Sequence, residues 1–291
     1  MRSLVVTLIL LSAAVARADE PTVPTPAPAK TSPPQQLGSQ ISVAPPIDRW
    51  YRGRYGKNRL IHVSITAAGA LIYLASETFF KADFAAVTCR WCEPDAFDHS
   101  VRDALVWSNP SRAALLSNLT GYVIAPLFTA GVMLYDLSTT DPATSRVIDD
   151  VTPVLETVVL SQLLTQAVKF AGGRARPFVH FGLPGAPGVD DNLSFFSGHT
   201  ALTFGLATSA GIIAHRRHYK LEPVIWGVGM TLAATTGYLR IAADKHYLTD
   251  VLVGAVVGVG SGLAVPLLMR RPEENLTVVP TGNGLALVGS F

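Results

Sequence analysis

Six apolar stretches, each long enough for a helix, follow one another along the chain. They run roughly from Leu60 to Phe80, Ala113 to Tyr135, Val151 to Phe170, Thr200 to Ala214, Val224 to Ala243 and Tyr247 to Met269. All are rich in Ala, Leu, Gly and Val, so the expected fold is all-α, a helical bundle of six core helices. Hydrophobic residues make up 49% of the chain and charged residues 15%, which brings membrane contact into play. Nucleic acid is set aside, because a net charge of +2 provides no broad basic field and no nucleic-acid-binding motif is present. In the last stretch Gly254, Gly258 and Gly262 recur every four residues, leaving a helix face on which a neighbour can approach closely. The third stretch carries Glu156, Gln162, Gln166 and Lys169, polar groups that lipid would penalise, so this helix is expected to face the bundle interior.

The ends of the chain read differently. Residues 1–18 combine a basic start, an apolar run from Leu4 to Val15 and Ala16-Arg17-Ala18 before Asp19-Glu20, the layout of a cleavable export signal. The apolar run is too short to span a membrane comfortably. Residues 19–46 contain eight prolines among small and polar residues, a composition that cannot bury a core and reads as a linker. The helical domain is expected over 47–271. The tail, 272–291, alternates on either side of Thr281-Gly282-Asn283-Gly284 and reads as a hairpin. Cys89 and Cys92 are the only cysteines. They lack the partners for a four-ligand zinc site, and in an exported protein a local disulfide is the favoured reading.

Three short segments carry the chemistry. In Lys169-Phe170-Ala171-Gly172-Gly173-Arg174-Ala175-Arg176-Pro177 a helix ends at paired glycines and delivers three cations, enough to hold an oxyanion. Taken alone, basic residues there would do no more than compensate the helix dipole. Ser197-Gly198-His199-Thr200 stands immediately before an apolar helix, where a hydroxyl and unpaired N–H groups suit phosphate, although an isolated Ser197 would read as an ordinary N-cap. In Arg240-Ile241-Ala242-Ala243-Asp244-Lys245-His246-Tyr247-Leu248-Thr249-Asp250, His246 and Asp250 are four apart at a helix start. They share one face, where a carboxylate can hold one ring nitrogen and leave the other nucleophilic.

Lys-x6-Arg-Pro, Ser-Gly-His and Arg-x5-His-x3-Asp, separated by 19 residues and then by 40, resemble the type 2 phosphatidic acid phosphatase superfamily, which also contains secreted class A acid phosphatases and vanadium-dependent haloperoxidases. The resemblance spans Lys169 to Asp250 with flanking helices and is weaker in the N-terminal third. Two positions depart from its pattern: Phe196 stands in place of a proline before Ser-Gly-His, and Leu239 in place of a serine before the arginine. These departures bear on rate or substrate range, not on reaction type. The resemblance implies that Lys169, Arg176, Arg240, Ser197 and the Gly198 amide bind phosphate. It implies further that His246 attacks phosphorus, that Asp250 orients it, and that His199 protonates the leaving oxygen and then activates water. No metal or other cofactor is implied. Arg174 falls outside the implied set, and the remaining histidines read as surface or core groups.

A lipid phosphate, either a monoester or a pyrophosphate, is the expected substrate, since apolar helices around a site at their ends suit an amphiphile; a small soluble phosphate ester is the alternative. A vanadium haloperoxidase, with vanadate in the same pocket and His246 as its ligand, is the less favoured enzyme, and a non-catalytic helical membrane protein is disfavoured by the intact His199, His246 and Asp250 set. Topology signals conflict. A cleaved signal with six spans puts the site in the cytoplasm, whereas Lys and Arg before the first stretch and after the fourth and sixth put the opposite end there. The reading adopted is an envelope protein, integral or peripheral, with a periplasmic site.

Overall fold

The computed structural model describes residues 55–140, 144–182, 188–268, 277–281 and 284–288. The expected signal peptide and linker lie outside them. All the described residues belong to one unit, Val43–Phe291. Its helices are α1 (Tyr55–Thr78), α2 (Lys81–Phe84), α3 (Ala96–Leu105), α4 (Pro110–Leu119), a π turn (Thr120–Ile124), α5 (Ala125–Thr140), α6 (Thr144–Gly172), α7 (Pro177–His180), α8 (Gly198–Arg217), α9 (Glu222–Ala242) and α10 (Leu248–Leu268). Each of the six apolar stretches is built around a helix, and the fold is an all-α bundle. Beyond α10, β1 (Thr277–Thr281) pairs antiparallel with β2 (Gly284–Val288).

Helix α8 forms the centre of the bundle, packed by α10, α9, α6 and α5. Its run of Gly, Ala, Thr and Ser leaves little side chain to hold neighbours away, and most of its residues are buried. The glycine repeat of α10 lies on this helix. A Cβ at Gly254 would sit 2.6 Å from the Ser197 carbonyl oxygen, at Gly258 2.5 Å from that of Ala201, and at Gly262 2.7 Å from Thr208 Cβ. Those distances leave no room for a side chain, so backbone-to-backbone contact sets the α8–α10 spacing. On the other flank Met133, Leu137, Val154, Leu202, Leu206 and Ile213 close the core.

The outer faces are apolar. Leu60, Leu71, Leu127 and Val256 are each at least two-thirds exposed. Four segments, Arg59–Thr78, Pro110–Thr139, Val147–Gly172 and Leu248–Leu268, are long and apolar enough to cross a membrane. The polar side of α6 does not oppose this. Gln162 donates to the Gly198 carbonyl at 3.1 Å and Gln166 to Glu77 at 2.9 Å, both inward, while Leu155, Leu160 and Leu164 face out. Glu156 turns to α1, with His62 Nδ1 at 3.3 Å. At the end opposite Lys169, Asp150 is buried against Arg217 and Tyr219, tying the start of α6 to the end of α8.

Candidate active site

The C-terminal ends of α6 and α9 meet the N-terminal ends of α8 and α10 at one end of the bundle, and this brings the three sequence segments together. Helix α6 stops at Gly173, which takes φ +55° and packs under Arg90. Arg90 donates to the Phe170 and Ala171 carbonyls at 3.2 and 2.8 Å, capping the helix. The turn carrying Arg90 is closed by a Cys89–Cys92 disulfide. Trp91 N–H donates to Gly173 O, and Ala175 N–H donates to Trp91 O, so the disulfide-closed turn grips the segment that holds the cations.

Lys169, Arg176 and Arg240 are clustered closely enough to repel one another. Of the three, only Arg176 has a carboxylate within ion-pair distance among the described residues, Asp190 Oδ1 at 3.8 Å. Arg176 is buried and donates from Nε to the Asp190 carbonyl at 2.8 Å. Burial holds it below the ordinary guanidinium value, against the pull of Asp190 and Asp250. Arg240 donates to Ser117 Oγ at 3.1 Å, and its buried Nε has no partner among the described residues. Lys169 has no ion-pair partner among them. Such a cluster has unmet hydrogen-bonding capacity that an anion would fill.

The start of α8 completes the cradle. Ser197 occupies the N-cap position, but its hydroxyl makes no capping bond and accepts from Thr200 Oγ1 at 2.9 Å. The first-turn amides are therefore left for an anion. A Cβ at Gly198 would come within 3.2 Å of Thr165 and 4.0 Å of Lys169 Nζ, placing this amide beside the lysine.

The two histidines stand on opposite supports. His246 is 1% exposed, and its Nδ1 lies 3.5 Å from Asp250 Oδ2, just beyond hydrogen-bond length. Asp250 already accepts from Ser194 Oγ at 2.6 Å, Tyr247 N at 3.0 Å and Arg174 at 2.6 Å. Burial first, then Arg240, Arg176 and Lys169, hold the His246 ring well below its ordinary 6.5. His199 stacks on Tyr122 at 4.2 Å between ring centroids. Its Nε2 lies 2.8 Å from Asn118 Oδ1 and its Nδ1 3.4 Å from the Tyr122 hydroxyl. The π turn sets this contact, because a Cβ at Gly121 would reach 3.2 Å from the His199 ring.

All eight residues singled out from sequence therefore lie at this end of the bundle, with His246 and Asp250 adjacent. Sequence reasoning missed Asn118 and Tyr122, which lie in a helix with no motif. It counted Arg174 among the cations after α6 but left it outside the phosphate-binding set. That side chain is 1% exposed, sandwiched between the Trp91 and Tyr247 rings at 3.9 and 4.4 Å, and directed at Asp250 and Asp98.

The chain is similar to several known proteins. A lipid A 1-phosphatase from Porphyromonas gingivalis is 35% identical over 96 residues, 33% of this chain and 18% of that protein, so the match spans under a fifth of the relative's length. Among solved structures, the Aquifex aeolicus LpxE crystal structure is 25% identical with a TM-score of 0.41, over 58% of this chain and 92% of that one. A transmembrane PAP2-type phosphatidylglycerolphosphate phosphatase from Bacillus subtilis is 15% identical with a TM-score of 0.45, over 71% and 94%. Residues 150–273, which supply the cations, the α8 N-terminus, both histidines and Asp250, match the model of the PAP2 superfamily.

Proposed function

We propose that this protein is a membrane phosphatase that hydrolyses the phosphate monoester of a lipid through a phosphohistidine at His246. The observation that carries the reading is the convergence of two buried arginines and a half-buried lysine, an open helix N-terminus and two differently supported histidines at one end of a bundle of membrane-length helices. A phosphoryl group in transfer spreads negative charge over its equatorial oxygens, and Lys169, Arg176, Arg240 and the α8 amides are already arranged to meet it.

In this mechanism His246 is neutral and Nδ1 faces Asp250, so Nε2 attacks phosphorus while the P–O bond to the leaving group breaks. Asp250 stabilises the positive charge that the ring acquires. His199 gives a proton to the departing oxygen, then takes one from the water that attacks the phosphohistidine. The longer contact at its Nδ1 is the weaker of the two, which makes Nδ1 the nitrogen more readily released to substrate. The cycle as written uses only side chains of this chain and draws on no metal or other cofactor.

The lipid assignment draws on the outward apolar faces and on the name of the P. gingivalis relative. A periplasmic site is proposed from the Cys89–Cys92 pair on the same end as the site, since an oxidising compartment sustains a disulfide. The test is phosphate release by detergent-solubilised protein from dioctanoyl phosphatidate, a phosphorylated glucosamine lipid and p-nitrophenyl phosphate. Higher kcat/KM on a lipid than on the soluble ester is expected. Preference for the soluble ester would replace the lipid assignment with a general acid phosphatase.

A further inference from the structure

Beneath the nucleophile lies a buried charge array whose central carboxylate comes from outside the segment that builds the phosphate site. Asp98, on α3, is fully buried. Its Oδ2 accepts from Arg174 at 2.7 Å and from Thr249 Oγ1 at 2.5 Å, and its Oδ1 accepts from Thr249 N–H at 2.9 Å. The same Arg174 guanidinium donates to Asp250 at 2.6 Å and to Thr249 Oγ1 at 2.8 Å. One cation is thus shared by two carboxylates. Asp244, the other carboxylate near Tyr247, is held bidentately by Arg102 at 2.8 and 2.9 Å and takes no part.

Charge counting gives this arrangement a consequence. Without Asp98, Arg174 would neutralise Asp250, and the His246 ring would face Lys169, Arg176 and Arg240 with no compensating anion. With Asp98 present, Asp98, Arg174 and Asp250 together carry one net negative charge, the amount needed when the ring becomes positive in phosphoryl transfer. We infer that Asp98 is a positioning residue for the nucleophile, which by neutralising Arg174 leaves the charge of Asp250 available to His246. The inference rests on the reading of His246 as nucleophile. The groups that act on that ring are Asp250, the Ser194 main chain, Arg240, Arg176, Lys169 and His199. Only Asp250 among them is anionic.

A purely structural Asp98, docking α3 onto the start of α10, would make no distinction of charge; a tuning Asp98 must. The experiment is the acid limb of kcat/KM for dioctanoyl phosphatidate, measured on the full chain in detergent. Asp98→Asn is expected to move that limb down by about one pH unit, the size of effect of one nearby charge. Arg174→Gln, which leaves two carboxylates and no cation, should move it up. The double variant restores one net negative charge and should return the limb to the wild-type position, and Asp98→Glu should leave it there. An unmoved limb in folded Asp98→Asn overturns the inference, as do single variants shifting in the same direction or a double variant that fails to return. If Asp98→Asn yields no folded protein, a limb for Arg174→Gln above that of a coincident wild type and double variant supports the inference equally, and any other order overturns it. His246→Ala separates the two claims. Wild-type turnover in that variant removes the nucleophile itself, whereas an inactive His246→Ala with a charge-insensitive limb removes only the role of Asp98.

Discussion

As the proposed nucleophile, the His246 ring must be neutral to attack, and burial and the neighbouring cations both favour that uncharged form. A histidine whose pKa is depressed loses its proton earlier as pH rises, so the reactive form is fully present at neutral pH. The acid limb of kcat/KM is accordingly expected below 6.5, the ordinary histidine value. A limb above that value in the purified protein would contradict the assignment. Asp250 is more constrained than an orienting carboxylate needs to be, since Ser194, Tyr247 and Arg174 all donate to it. An amide cannot accept from all three and also face the ring, so Asp250→Asn should lower kcat by about 100- to 10,000-fold with little change in KM. A change confined to KM would make it a binding residue. The motif residues were legible because each segment places its groups within a few residues of a helix end, where spacing alone determines direction. Asn118, Tyr122 and Asp98 were not, because each reaches the site from another helix and only tertiary packing decides what it meets.

At the scale of elements, the site depends on how closely α8 and α10 approach, since Ser197 N–H donates to the Asp250 carbonyl at 3.0 Å across that seam. The glycine repeat could be read as a packing face because an absent side chain has the same meaning in any context. Its partner could not be read, because α8 has no comparable repeat, only a general excess of small residues. Gly258→Val puts a branched side chain where even a Cβ would lie 2.5 Å from the Ala201 carbonyl oxygen. It is expected to destabilise the bundle by about 2 kcal/mol or more and to lower activity together with it. Thermal unfolding in detergent measures this, and an unchanged midpoint would contradict the packing account. The Cys-Arg-Trp-Cys turn is the opposite case. Its sequence suggested a disulfide but gave no sign that Trp91 would stack on Arg174 and pair with the end of α6.

For the molecule as a whole, the topology signals in the sequence conflict, and the outward apolar faces favour insertion in lipid over a peripheral bundle. Which end faces out is a matter of compartment, and Cys89 and Cys92 report it, because they lie at the same end as His246. In intact cells a membrane-impermeant thiol reagent should label them only after mild reduction. Free thiols that react only once the inner membrane is opened would place the site in the cytoplasm.

The proposed mechanism passes through one covalent species, a phosphohistidine at His246. Protein mixed with a radiolabelled lipid phosphate and quenched within a single turnover should carry label that survives alkali and is lost in acid, as a phosphoramidate is, and peptide mapping should place it on His246. Folded His246→Ala should carry none and should not turn over. Label on any other residue, or turnover by His246→Ala at the wild-type rate, would contradict the account.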